Sequence, residues 1–302
     1  MKIKFILGVI IIALISGCKC SNEGNDNDSL EVPDSIANKG VYKVSDEAMD
    51  KITENISSPI ETAALIKSLN VPFSKEHLAT TDYVDDYSTS FKQSIILGIY
   101  GADLGYLNMY NKTSVSIDYL KSIKKIANKL KIGQFFDFST LKRLASSSEN
   151  IDSLIYISQR NFKQMDEYLR ENNRSNLSAL TIAGAWLEGL YLTSEVYQSN
   201  PDPQLREAIG EQKIMLSNLM ILLENYKNSP NFKELIQDFK KIHDIFKEVN
   251  ITVEQGETEQ IIDENGQLSF KQNDKSIVKI TDEQLYKIIE ETNKVRNNLI
   301  SL

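Results

Sequence analysis

Two carboxylates, Asp103 and Glu188, stand alone in two strongly apolar stretches of the chain, and their surroundings match. Asp103 lies within IILGIYGADLGYLNMY (95–110) and Glu188 within LTIAGAWLEGLYLTSE (180–195), 85 positions further on. Setting one acid on the other also aligns Leu97 with Ile182, Gly98 with Ala183, Tyr106 with Tyr191 and Leu107 with Leu192. An isolated charge in an apolar helix is expensive unless it faces a groove or finds a partner. In one reading Asp103 and Glu188, with Tyr100, Tyr106, Trp186 and Tyr191, line a polar pocket for a small ligand, a glycan or a cation. In the other, each acid hydrogen-bonds a tyrosine hydroxyl or a neighbouring helix and fixes packing.

Other chemistry has less to build on. His77 and His243 are the only histidines, and neither belongs to a zinc-protease helix motif; a nucleophile elbow is also missing. Asp82, Asp85 and Asp86 suit the positive end of a following helix, and they lack the oxygen spacing and glycine of an EF-hand. The glycines near the two acids have no lysine and Ser/Thr of a phosphate loop beside them. No catalytic set, metal or cofactor is expected, so the chain reads as a non-enzymatic protein.

Those same glycines bear on packing. Gly98, Gly101, Ala102 and Gly105 lie in one segment, and Ala183, Gly184, Ala185 and Gly189 in the other. Each glycine costs about 1 kcal/mol of helix propensity relative to alanine, which close approach of two helix backbones can offset. The spacing therefore predicts two central helices that touch.

Around them, apolar residues at three- and four-residue steps predict helices near 46–56, 59–69, 85–111, 114–132, 149–171, 174–198, 203–227 and 231–248. Ser58-Pro59-Ile60-Glu61 and Thr281-Asp282-Glu283-Gln284 read as capping boxes, and Asp202-Pro203 and Ser229-Pro230 as cap-then-proline starts. Lys121, Lys124, Lys125 and Lys129 fall on the solvated side of their helix. From Val249 the pattern turns to alternation: Ile251-Thr252-Val253, then Asn265-Gly266 between apolar residues, then Ile277-Val278-Lys279-Ile280. This predicts a small β-hairpin or three-stranded flap, leaning on the helical body or on a partner, before a closing helix at 282–300. The expected fold is mainly α: a duplicated helical-hairpin bundle, solenoid-like, over 41–248, with units at roughly 46–138 and 139–227 and a groove between them. Residues 249–302 add the hairpin and the closing helix.

The N-terminus supplies an address. Lys2 and Lys4 precede an apolar run from Phe5 to Ile15, too short to span a bilayer comfortably. Leu14-Ile15-Ser16-Gly17-Cys18 resembles the lipobox of bacterial lipoproteins. The resemblance implies cleavage of a leader at 1–17 and lipid on Cys18, which would hold the protein on a membrane without a spanning helix. Residues 18–40 are polar and suit a tether. Position 19 is Lys, not the aspartate of inner-membrane retention, so the resemblance points to the outer membrane facing the periplasm. An acidic Glu23, Asp26 and Asp28 leave surface exposure open. Around Leu97-Gly98-Ile99-Tyr100-Gly101-Ala102-Asp103-Leu104 the body is similar to uncharacterised helical lipoproteins of Bacteroidota-type bacteria, which implies an envelope location and no particular activity.

The net charge is −8, and loss of Lys2 and Lys4 with the leader makes it more negative. Such a chain is a poor binder of nucleic acid, since phosphates repel it. Cys20 is the only other cysteine, so no disulfide braces the body and no cysteine metal cluster forms. The expected role is a lipid-anchored interaction or scaffold module holding a protein partner in the envelope. The alternative is a small-ligand or glycan binder with its pocket at Asp103 and Glu188.

Overall fold

The computed structural model describes residues 59–145, 151–254, 258–262, 268–272 and 275–301. The lipobox with Cys18, the tether, the helix expected at 46–56, Ser58 and the Asn265-Gly266 pair lie outside the described residues. The described chain is mainly helical: α1 Pro59–Ser68, α2 Ser90–Met109, α3 Thr113–Lys129, α4 Phe138–Ala145, α5 Ile151–Glu171, α6 Ser175–Ser199, α7 Pro203–Glu224, α8 Pro230–Phe246 and α9 Asp282–Ile300. Strands β1 Asn250–Glu254, β2 Thr258–Ile262, β3 Leu268–Gln272 and β4 Lys275–Lys279 precede α9.

The starts follow local chemistry. Asp202 accepts the Gln204 N–H at 2.7 Å with Pro203 at the first helical position of α7. Thr281 and Gln284 close a reciprocal capping box on α9. Ser229 precedes Pro230 but makes no side-chain cap bond. α2 begins at Ser90 rather than 85, because Thr89 accepts the Lys92 N–H at 3.2 Å and the residues before it form turns. Asp85 therefore does not cap that helix, and it pairs with Lys125 and Lys129 of α3. Periodicity predicts no helix between 132 and 149. The chain there forms a 3₁₀ turn at Gly133–Phe135 and then α4, at whose start Asp137 accepts the Thr140 N–H at 3.0 Å and the Ser139 hydroxyl at 2.6 Å.

α2 and α6 form the centre, and both are apolar on nearly every side. Burial of this kind is what a helix without a polar face requires. They meet at backbone distance. A Cβ on Gly98 would sit 2.0 Å from the Thr181 carbonyl oxygen and 2.6 Å from the Ala185 nitrogen, and one on Gly184 would sit 2.1 Å from the Ile95 carbonyl oxygen. Gly98 thus rests against the stretch that contains Ala183, its equivalent in the repeat. Gly101 differs from its sequence reading: it is exposed, and a Cβ there would meet nothing within 4 Å. The groove expected between the units is closed at this level by the two helices themselves. A core of aliphatic and aromatic side chains surrounds them, including Leu107, Tyr119, Ile126, Leu187, Leu216, Phe239, Phe246 and Ile288.

Of the hairpin and the three-stranded flap expected here, the strands take antiparallel two-stranded pairing, β1 with β4 (Asn250 opposite Lys279) and β2 with β3 (Thr258 opposite Gln272). The outer pair leans on the body as a two-stranded ribbon must. Val278 packs on Gly210 of α7, where a Cβ would sit 2.3 Å from its Cγ1. Lys213 Nζ donates to the Val249 carbonyl at 2.6 Å, and Arg206 donates to the Ile280 carbonyl at 2.6 Å. α9 then returns into the body with Leu285, Ile288, Ile289, Thr292, Val295, Arg296 and Leu299 inward.

Candidate functional site: a buried carboxylate pair

Asp103 and Glu188 are both fully buried, and they occupy one cluster in the core. The equivalence seen in the repeat is spatial: the two acids face each other across the α2–α6 contact. The cation of the cluster is Arg296 from α9, which pairs with Glu188. Its Nη2 donates to Glu188 Oε1 at 2.7 Å and its Nε to Oε2 at 2.9 Å, the two-pronged geometry that suits guanidinium and carboxylate. The guanidinium carbon lies 4.1 Å from the centre of the Tyr191 ring, so its face is covered by an aromatic surface. Burial alone would lower the Arg296 pKa, but the Glu188 charge and hydrogen bonds raise it instead.

Asp103 has a different role. Its Oδ2 accepts the Ala79 N–H at 3.1 Å, while Oδ1 meets no donor. Glu188 lies close enough for its charge to act on Asp103. Burial first, and the Glu188 charge second, push the Asp103 pKa well above the ordinary carboxylate range, with Arg296 opposing. Both effects favour the protonated acid at Asp103. The cluster then holds one cation, one anion and one neutral acid, which a dry core tolerates far better than two charges of one sign.

Around the acids, a stripe along α2 pins the preceding loop by its backbone. Tyr110 donates to the Val71 carbonyl at 2.6 Å, Tyr106 accepts the Ser74 N–H at 3.2 Å, Asp103 takes Ala79, Tyr100 donates to the Thr80 carbonyl at 2.8 Å, and Gln93 donates to the Tyr87 carbonyl at 2.8 Å. The steps from 100 to 103, 106 and 110 are those of one helix face. From α3, Tyr119 donates to the Ala79 carbonyl. Loop 71–87 thus runs antiparallel to α2, each contact satisfying a backbone group that would otherwise lack a partner. Burial pushes the Tyr110 and Tyr191 hydroxyls up to about 12, so both remain protonated donors.

Of the six residues read as a pocket, Asp103, Glu188 and Tyr191 share the cluster and Tyr100 borders it. Tyr106 lies with Tyr191 in a second apolar cluster, its ring 5.5 Å from Phe73, and it makes no bond to either acid. Trp186 turns towards α7 and α8, where its Nε1 donates to Gln212 at 2.9 Å and its ring lies 5.7 Å from Phe239. The hydroxyls of Tyr100, Tyr110 and Tyr119 donate to backbone carbonyls, and that of Tyr106 accepts the Ser74 N–H. Sequence reasoning missed Arg296, whose signal is a charge on the inward stripe of α9, one turn from Thr292 and three residues from Leu299.

The two histidines stand apart from the acids' contacts. His77 lies 3.8 Å from Glu195 and His243 3.3 Å from the Ser217 hydroxyl, and burial lowers the pKa of each. No group of three or more metal-ligating side chains occurs among the described residues. A surface groove of 260 Å³, lined by Gln198 of α6 and by Tyr286, Glu290, Asn293 and Asn297 of α9 among others, does not include either acid.

Asp103→Asn provides a direct check, because an amide replaces a neutral acid without changing shape or charge. Its unfolding free energy at neutral pH is expected to fall by less than about 1.5 kcal/mol, the size of one net hydrogen bond. The folded pKa of Asp103 lies above its unfolded value of about 3.9, so wild-type stability declines as pH rises from there towards the folded pKa. Urea midpoints against pH should show that decline in wild type and its reduction in Asp103→Asn; identical profiles would remove the proton from Asp103.

Fold and cluster together define a mainly helical protein with a charge-balanced core and a paired-strand appendage. No protein-family model matches the chain, and neither a curated protein nor a solved structure is significantly similar to it. Among the described residues, no helix is long and apolar enough to cross a membrane.

Proposed function

We propose that the chain is a lipid-anchored envelope protein whose helical body serves as a non-enzymatic interaction module. The observation that supports this reading is the order of its parts: a Leu-Ile-Ser-Gly-Cys run at 14–18, a polar tether, and then a body whose isolated acids are used up internally. A pocket for a small ligand or glycan at Asp103 and Glu188 would need an acid open to solvent, and both are buried and partnered. What remains outward is surface, and surface suits a macromolecular partner better than a catalytic reaction.

The test is lipid labelling and fractionation of cells making the wild-type chain or Cys18→Ser, followed by cross-linking in intact cells and mass spectrometry. Wild type should carry label, sediment with membranes and recover an envelope protein; Cys18→Ser should lose the label and most of the partner. An unlabelled wild-type chain would sink the anchor. Recovery of the chain with no other protein, at good yield, would sink the interaction module.

A further inference from the structure

The negative net charge hides a basic face. Between Lys112 and Arg143 the chain has seven lysines and one arginine against Asp118 and Asp137, a net +6 within a total of −8. All eight cations are exposed. α3 sends Tyr119, Leu120, Ile123, Ile126 and Ala127 into the core, which leaves its lysines on the outer side. α4 continues this face, with Lys124 Nζ 5.6 Å from the centre of the Phe138 ring.

Asp118, on α3 itself, pairs with Lys121, and Asp85, from the turns before α2, pairs with Lys125 and Lys129. Phe135, Phe136 and Phe138 sit among these cations and are only partly buried. Lysines interleaved with partly open aromatic rings suit a bilayer surface, where ammonium groups meet anionic headgroups and rings rest at the interface.

We infer that the face built from α3, the Gly133–Phe135 turn and α4 docks on anionic phospholipid headgroups and orients the body on its membrane. The reading of the chain as lipid-anchored brings it to a bilayer; the face decides which side lies down.

The experiment is lysine acetylation of the full chain mixed with vesicles of phosphatidylcholine alone or of phosphatidylcholine with phosphatidylglycerol, mapped by mass spectrometry. Lys121, Lys124 and Lys131 should be acetylated several-fold more slowly on the anionic vesicles, with Lys287 as the unaffected control. That protection should vanish at molar salt, where the Debye length is about 3 Å. Lys124→Glu with Lys131→Glu should reduce the protection of Lys121.

Equal acetylation on both vesicle types overturns the inference. Equal protection by heparin in solution overturns the assignment to lipid. Labelling at Cys18 reports the anchor separately: protection without labelling keeps the docking face and removes the anchor, while labelling without protection removes the face alone.

Discussion

Replacing Arg296 by methionine is expected to destabilise the protein by about 3–5 kcal/mol, the usual consequence of breaking one side of a buried ion pair. The guanidinium is the only cation within hydrogen-bonding reach of Glu188 among the described residues, and both groups are buried. Without it, Glu188 is a buried anion beside a buried acid. Glu188→Met combined with Arg296→Met should recover much of the loss, because apolar replacement of a whole buried pair is often neutral or better. Urea denaturation of the two variants beside wild type measures the loss and its recovery. An Arg296→Met midpoint equal to wild type would mean that Glu188 is not held by this arginine.

The helical class was legible because it is local. Capping chemistry at Asp202-Pro203 and Thr281–Gln284, and apolar steps along α3 and α8, depend on neighbours within four residues. α4 was hidden for the converse reason: eight residues carry too few turns for a period to emerge, and its start depends on Asp137 acting as a cap. The two acids were legible as anomalies, since a charge in an apolar helix demands a partner. Which partner was not. Arg296 stands 108 residues from Glu188, and no local rule connects α9 to α6.

The tyrosines misled in an instructive way. Tyr100, Tyr106 and Tyr191 read as walls of a polar pocket because aromatic residues with hydroxyls suit ligand sites. The hydroxyls of Tyr100 and Tyr106 instead face a problem posed by the loop at 71–87, whose backbone would otherwise be buried without partners, while Tyr191 lends its ring to Arg296. Tyr100 and Tyr106 spend them on Thr80 and Ser74, and Tyr110 and Tyr119 do the same for Val71 and Ala79. A sequence marks where hydroxyls lie on a helix; it does not mark which carbonyl the folded loop will bring to them.

Gly98 and Gly101 separate these levels most cleanly, since the sequence presents them alike, three residues apart in one apolar helix. Gly98→Ala should destabilise the protein by about 3 kcal/mol, the upper end of what overpacking costs. The obstructing atoms, Thr181 carbonyl oxygen at 2.0 Å and Ala185 nitrogen at 2.6 Å, belong to backbone and cannot rotate away. The helices must move apart, and Asp103 and Glu188, five residues further along each repeat, would be drawn apart with them. Gly184→Ala meets the Ile95 carbonyl at 2.1 Å and should behave in the same way. Gly101→Ala meets open space, so only the backbone term remains, and it should stabilise by about 0.5–1 kcal/mol. Thermal and urea unfolding of the three alanine variants would show opposite signs at 98 and 101. If Gly98→Ala proved as benign as Gly101→Ala, α2 and α6 would not be in backbone contact, and the meeting of the two acids would need another cause.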